Sequence, residues 1–177
     1  MPVAIEFFLD EPAAGVVRQI WREIAEAGIS SYLHAGGVRP HLTLVVGESV
    51  DGPAAEAAMR EWAAVTPPGS TTFANVGVTT SGLANVFLPA IVTADLLELH
   101  AALHRKVVGQ FNAPSERYTP GRWTPHCTVV ERVPGDLLGK TIEIIRQTRL
   151  PLDARFSEVG LVDFSPLHQR CSVPLTG

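Results

Sequence analysis

Only two cysteines, Cys127 and Cys171, occur among 177 residues, which excludes a disulfide framework and a four-thiolate zinc set. They read as small core residues. Long apolar runs are also missing, since none approaches the roughly 20 residues that span a bilayer. The N-terminal stretch MPVAIEFFLDEP has no basic leader and soon meets acidic residues, so it does not read as a secretory signal. These features predict a soluble, cytoplasmic protein with no membrane association. Positive charge is scarce too: 14 Lys and Arg stand against 18 Asp and Glu, a net charge of −4. Gripping long duplex nucleic acid needs an excess of cations to displace condensed counterions, so that class of partner is excluded, whereas a nucleotide or a short RNA terminus is not. No glycine-rich phosphate loop follows any strand-like run.

What is present is a foldable chain. Hydrophobic residues make up 46% and charged residues 18%, and a chain of this length buries roughly 70% of its unfolded surface. Val3 to Leu9 reads as a strand, and the spacing of Val16, Val17, Ile20 and Ile24 predicts a helix over Glu11 to Ala27. A second strand is expected at His41 to Val46, and a helix at Pro53 to Ala64 with proline in its first turn. Thr71 to Thr80 and Ala84 to Val92 read as a hairpin about Ser81 and Gly82. Ala94 to Phe111 carries a leucine stripe and is the longest predicted helix, with its apolar face in the core. A proline-rich loop over 112–125 leads to a strand at Cys127 to Val130, followed by a helix at Leu137 to Gln147 and strands at Ala154 to Phe164 and Gln169 to Val173. Strands and helices do not alternate regularly, so an α+β fold with antiparallel sheets is expected, as one domain spanning residues 1–177.

The informative feature is a short internal repeat. Residues 40–45 read Pro-His-Leu-Thr-Leu-Val and residues 125–130 read Pro-His-Cys-Thr-Val-Val, with four identities in six positions. Strand side chains alternate, so His41 and Thr43 share one face while Leu42 and Leu44 take the other, and His126 and Thr128 likewise oppose Cys127 and Val129. Facing each other across a groove, two such strands offer two imidazoles and two hydroxyls to one bound group. That set suits a phosphodiester, whose cleavage needs a base for the attacking oxygen, an acid for the leaving oxygen and donors for the phosphoryl oxygens. Histidine serves in either protonation state near neutrality, and the scheme needs no metal and no cofactor.

With these residues the chain resembles the two-histidine (2H) phosphoesterases, a family that includes bacterial 2′-5′ RNA ligases and cyclic phosphodiesterases. Their signature of paired His-x-Thr/Ser-x motifs is matched by His41-Leu42-Thr43-Leu44 and His126-Cys127-Thr128-Val129, and Tyr118 to His126 resembles the lead-in to the second motif in one branch. The resemblance implies a bilobal α+β fold, with pseudo-two-fold symmetry about a central groove. It implies His41 and His126 as the acid/base pair, Thr43 and Thr128 as the phosphate holders, and a metal-independent phosphodiesterase acting on 2′,3′-cyclic phosphates or 2′-5′ linkages of nucleotides or RNA ends. A non-catalytic module that binds nucleotides or RNA ends through the same groove is the alternative. The chain departs from ligase-like members at Val45 and Glu131, where those carry a lysine soon after the first motif and an arginine after the second; here Arg132 lies one place later.

Other candidates have two readings each. Tyr118, Arg122 and Trp123 precede the second motif, where an aromatic can stack on a base and an arginine can pair with phosphate; Trp123 equally reads as a loop anchor. His100 and His104 lie four apart on one helix face, as two metal ligands would, yet no third ligand is evident, and a solvent-facing or partly packed pair is the expectation. His34 and His168 read as surface residues. Between Arg105 and Arg132, five basic residues outnumber two acidic ones, an excess that fits an anionic substrate or an ordinary solvated loop.

Overall fold

In the computed structural model, which describes residues 2–80 and 82–177, every strand pairing among the described residues is antiparallel, and the chain is α+β as expected. Strand β1 (Val3–Phe8) is followed by α1 (Ala13–Glu26), the short α2 (Tyr32–Ala35), β2 (His41–Gly47), β3 (Ser49–Val50) and α3 (Gly52–Ala63). Then come β4 (Gly69–Phe73), β5 (Gly77–Val78), β6 (Ala84–Pro89), α4 (Ala94–Val107), β7 (Phe111–Asn112), β8 (His126–Val133), α5 (Leu138–Arg146), β9 (Leu152–Phe156), β10 (Glu158–Phe164) and β11 (Leu167–Pro174). One sheet runs β11-β10-β1-β2 and another β5-β6-β8, with β3-β7 and β4-β9 as two-stranded ribbons.

Two helices begin at polar caps. The Asp51 carboxylate accepts from the Ala54 N–H at 3.2 Å at the start of α3, and the Thr93 hydroxyl accepts from the Leu96 N–H at 3.2 Å at the start of α4, each satisfying an orphan donor of the first turn. The helices are exchanged between the sheets. α1 leaves β1 and buries Val17, Ile20, Trp21 and Ile24, packing against β8 of the other sheet, while α4 leaves β6 and packs against β2. Each motif strand is therefore backed by a helix that follows a strand of the opposite sheet.

Two long strands predicted from the sequence are broken in the fold. Residues 71–80 divide into β4, which pairs with β9, and β5, which pairs with β6. The β5–β6 hairpin carries Val78 opposite Val86; Ser81, in the expected turn, lies outside the described residues. Residues 154–164 divide at Ser157, whose N–H and hydroxyl donate to Asp10 Oδ1 at 3.1 and 2.8 Å. That clamp turns the chain from β9 toward β4 into β10 against β1. The loop of residues 112–125 contains a single 3-10 turn at Glu116–Tyr118.

Local register decides which side chains reach the groove. The β1–β2 ladder slips between Ile5 and Glu6, so that Val45 opposes Ile5 but Thr43 opposes Glu6 and His41 opposes Phe8. Such a bulge places two consecutive residues against the core, and Leu44 and Val45 are both buried. On β1, Val3, Ile5, Phe7 and Leu9 enter the core, which leaves Glu6 and Phe8 on the face shared with His41 and Thr43. Gly160 of β10 lies opposite Glu6, and a Cβ there would run into the Phe8 ring, so glycine gives that phenyl ring its place.

Candidate active site

His41 opens β2 and His126 opens β8, and both are held the same way. His41 Nδ1 is 2.7 Å from the carbonyl oxygen of Arg39, and His126 Nδ1 is 2.8 Å from that of Thr124, in each case two residues upstream across a proline. A carbonyl only accepts, so each Nδ1 carries its hydrogen and donates it, and each Nε2 is left as the working nitrogen. The threonines share a second device. The Trp123 indole N–H donates to the Thr43 carbonyl at 2.8 Å, and the Trp21 indole N–H donates to the Thr128 carbonyl at 3.1 Å. An indole thus fixes the backbone beneath each motif from the buried side.

His41, Thr43, His126 and Thr128 line one cavity of about 700 Å³, together with Glu6 and Tyr118 among others. A larger cavity, of about 940 Å³, lies by β4 and β9 and holds Glu11, Asp95, Glu98, Asp153 and Arg155 but no histidine. Size does not mark the site; convergent acid–base groups do. The lining also holds Arg39, His168 and Glu131. Arg39 is already engaged: its guanidinium lies 3.0 Å from Glu158 and 3.4 Å from Gln169 and sits 3.9 Å over the Phe8 ring.

The electrostatic settings of the two histidines differ. Burial pushes the His126 imidazole below its ordinary range, partly offset by the bond to Thr124 and reinforced by His41; its ring lies 4.8 Å from that of Phe87. His41 Nε2 is 3.3 Å from Glu6 Oε1, a carboxylate that is 2% exposed. Burial pushes the Glu6 carboxyl above its ordinary range, against the pull of His41 and Arg39.

Several sequence readings change. Trp123 is buried and stacks on His100, ring centroids 4.0 Å apart, so it supports β2 from below and offers no face to a substrate. Arg122 is not among the residues that line the cavity, and it pairs with Glu116. Tyr118 is half-buried and does line the cavity, its phenol pushed up by burial. His100 and His104 are buried rather than solvent-facing; His100 Nε2–H donates to the Leu44 carbonyl at 3.0 Å. Burial lowers both imidazoles below their ordinary range, and among the described residues no group of three or more His, Cys, Asp or Glu is placed to hold a metal ion. His34 is exposed as expected; His168 is exposed but borders the cavity. Cys127 is fully buried, which pushes its thiol up to about 12, and Cys171 is partly buried. The basic excess of residues 105–132 does not converge on the cavity: Lys106 is 3.9 Å from Glu61, and Arg132 is exposed. The sequence reading missed Glu6 and Arg39, although Glu6 is the one charge within the apolar run Val3 to Leu9. Among the described residues no helix is long and apolar enough to cross a membrane.

Solved structures share this architecture. TT0787 of Thermus thermophilus superposes with a TM-score of 0.66 at 19% identity, covering 100% of this chain and 99% of that one. LigT of E. coli, complexed with 3′-AMP, gives 0.58 at 20% identity with both chains fully covered. Usb1 of Kluyveromyces marxianus gives 0.53 at 13% identity, covering 98% of each chain. No curated protein matches the sequence. The model of the 2′-5′ RNA ligase superfamily matches residues 10–165, and with the paired His-x-Thr strands on one groove the chain belongs to that superfamily.

Proposed function

We propose that this chain is a phosphodiesterase that hydrolyses 2′,3′-cyclic phosphates or 2′-5′ linkages of nucleotides or RNA ends, with His41 and His126 as the acid/base pair. The observation that carries this reading is the duplicated histidine setting: two imidazoles, each anchored through Nδ1, present Nε2 to a single cavity beside two threonines. One imidazole takes the proton of an attacking water and the other gives a proton to the departing ribose oxygen. Thr43 and Thr128 donate to the phosphoryl oxygens, where charge accumulates. Both transfers run through imidazoles, so the scheme requires no metal.

The lining favours a small substrate. Its one arginine is bound to Glu158, and Glu6 and Glu131 face the same space, so additional phosphates along an RNA strand would meet carboxylates without compensating cations. A nucleotide with a single phosphodiester suits the groove better. That LigT was obtained with 3′-AMP supports a nucleotide-sized ligand.

The test is turnover of a panel of nucleoside 2′,3′-cyclic phosphates with EDTA present, comparing wild type with a His41→Ala, His126→Ala double variant. Hydrolysis by wild type and none by the variant is expected, and the position of the phosphate in the product identifies the bond cleaved. Folded wild type that binds these nucleotides but releases no product would instead identify a binding module.

A further inference from the structure

The two motif strands have different cross-strand partners: His41 lies opposite Phe8 and His126 opposite Pro89, and the threonines differ as well. Thr43 of β2 is paired across the ladder with Glu6 of β1, whereas Thr128 of β8 is paired with Phe87 of β6. The same position therefore carries a carboxylate in one half of the site and a phenyl ring in the other. Glu6 Oε1 is buried, and among the described residues none donates a hydrogen bond to it. A carboxylate oxygen left bare in a low-dielectric site is costly unless a charge or proton meets it, and the group in reach is His41 Nε2 at 3.3 Å.

We propose that Glu6 is a positioning residue that holds the transferable proton on His41 Nε2, so that His41 gives the proton to the leaving oxygen and His126 receives one from water. The proposal rests on the phosphodiesterase reading above. His41 Nδ1–H is committed to the Arg39 carbonyl, so a second ring proton can only sit on Nε2, where the Glu6 carboxylate faces the resulting positive charge as its ion partner. When substrate binds, the leaving ribose oxygen competes for that hydrogen. In the step itself the water oxygen forms a bond to phosphorus and its proton passes to His126 Nε2. The bond from phosphorus to the ribose oxygen breaks, and that oxygen takes the proton from His41 Nε2. One water is consumed, the two imidazoles exchange protonation states, and solvent resets them.

The remaining charges about Glu6 do not supply this proton. Arg39 leans on Glu158 and Phe8; Tyr118 has its phenol pushed up by burial, with Glu6 adding to the effect; the Cys127 thiol is pushed up to about 12; and His126 is held below its ordinary range by burial. His126 is thus suited to being the neutral, receiving partner, and Phe87 beside it offers no acceptor that would hold a proton on it.

The decisive variant is Glu6→Gln, which keeps the shape and removes the charge. On a nucleoside 2′,3′-cyclic phosphate we expect kcat to fall roughly 10- to 100-fold, at the low end of what general acid catalysis supplies, with KM within about twofold. The alkaline limb of the kcat/KM profile should move to lower pH by about one unit. In the free protein, the His41 ring nitrogen resonances should show Nε2 losing its hydrogen at lower pH in Glu6→Gln than in wild type. An unchanged pH profile and superimposable His41 resonances would overturn the proposal and leave Glu6 as filler. If wild type proves inactive on these substrates while the His41 resonances still respond to Glu6→Gln, the phosphodiesterase reading fails and the Glu6–His41 pairing stands. Should Glu6→Gln not fold, Glu6→Asp draws the carboxylate back by one methylene; a smaller shift of the same limb supports the pairing, and no shift overturns it.

Discussion

The first motif strand and the second are built alike from behind and differently in front. Behind each, an indole from a remote segment bonds the threonine carbonyl, and a carbonyl two residues upstream holds the histidine. In front, Glu6 stands beside His41 and Phe87 beside His126. Duplicated backbone support holds both imidazoles at Nδ1, while the cross-strand neighbours on the groove face differ between the two strands. Two like residues meet unlike surroundings: burial holds the His126 imidazole below its ordinary range, and a buried carboxylate stands beside His41.

The comparison breaks most sharply at the histidines themselves. His41→Ala and His126→Ala should each reduce kcat by about 10²–10⁴-fold, and the double variant should be little worse than either single one, because acid and base act as a unit; steady-state rates on a cyclic nucleotide show this. Next come the threonines. Thr43→Val and Thr128→Val remove donors to a charged phosphoryl group, worth about 1.5–3 kcal/mol each, and kcat/KM should fall roughly 10- to 100-fold, by similar factors if the two halves share the phosphate evenly.

Smaller effects fall on stability. Trp21→Phe and Trp123→Phe each leave a threonine carbonyl without its donor, at about 1–3 kcal/mol, so the melting temperature should drop by several degrees in a domain of this size. Trp123→Phe should be the more damaging, because that indole also stacks on His100. The smallest change is in pH dependence. His100, His104 and His126 are held below their ordinary range by burial, so on acidification the unfolded chain takes up protons near pH 6.5 before the native protein does. Stability is therefore complete above that pH and declines below it. Urea midpoints at pH 7.5 and pH 5 should differ less in His100→Gln than in wild type. Glu6 has the opposite sign: its carboxyl is raised by burial, so it weakens the fold as pH climbs above about 4.5, and Glu6→Gln should gain stability over wild type at pH 8 but not at pH 4.

How much of this was legible in the sequence follows from what each signal depends on. The histidine–threonine pairs were readable because period-two alternation fixes which side chains share a face, and the repeat of the whole local pattern singled them out. The four longer helices were readable within a few residues for the same reason of periodicity; the single turn of α2 was not. The breaks after Phe73 and at Ser157 were not, because β-branched and aromatic residues resume soon beyond each, and the second break depends on Asp10, far away in the chain. Trp123 kept two readings, of which the loop anchor is the one the fold bears out, and Arg122 had no fixed direction, because a loop has no period; only the fold shows one under β2 and the other paired with Glu116. His100 was readable after all: Leu96, His100, Leu103 and Val107 follow helical spacing and all are buried, so the histidine belongs to the core stripe. Glu6 had a signal that went unused, a lone acid in an otherwise apolar strand, and its meaning depended on the bulge that brings Thr43 opposite it.

The exchange of α1 and α4 between the sheets has a mechanical consequence. Moving the motif strands apart would strain the Trp21–Thr128 and His100–Leu44 bonds together with the packed faces of both helices, so the gap between the imidazoles is set by the core and not by a hinge. A change on the buried face of α1 or α4 is therefore transmitted to the motif strand of the opposite sheet.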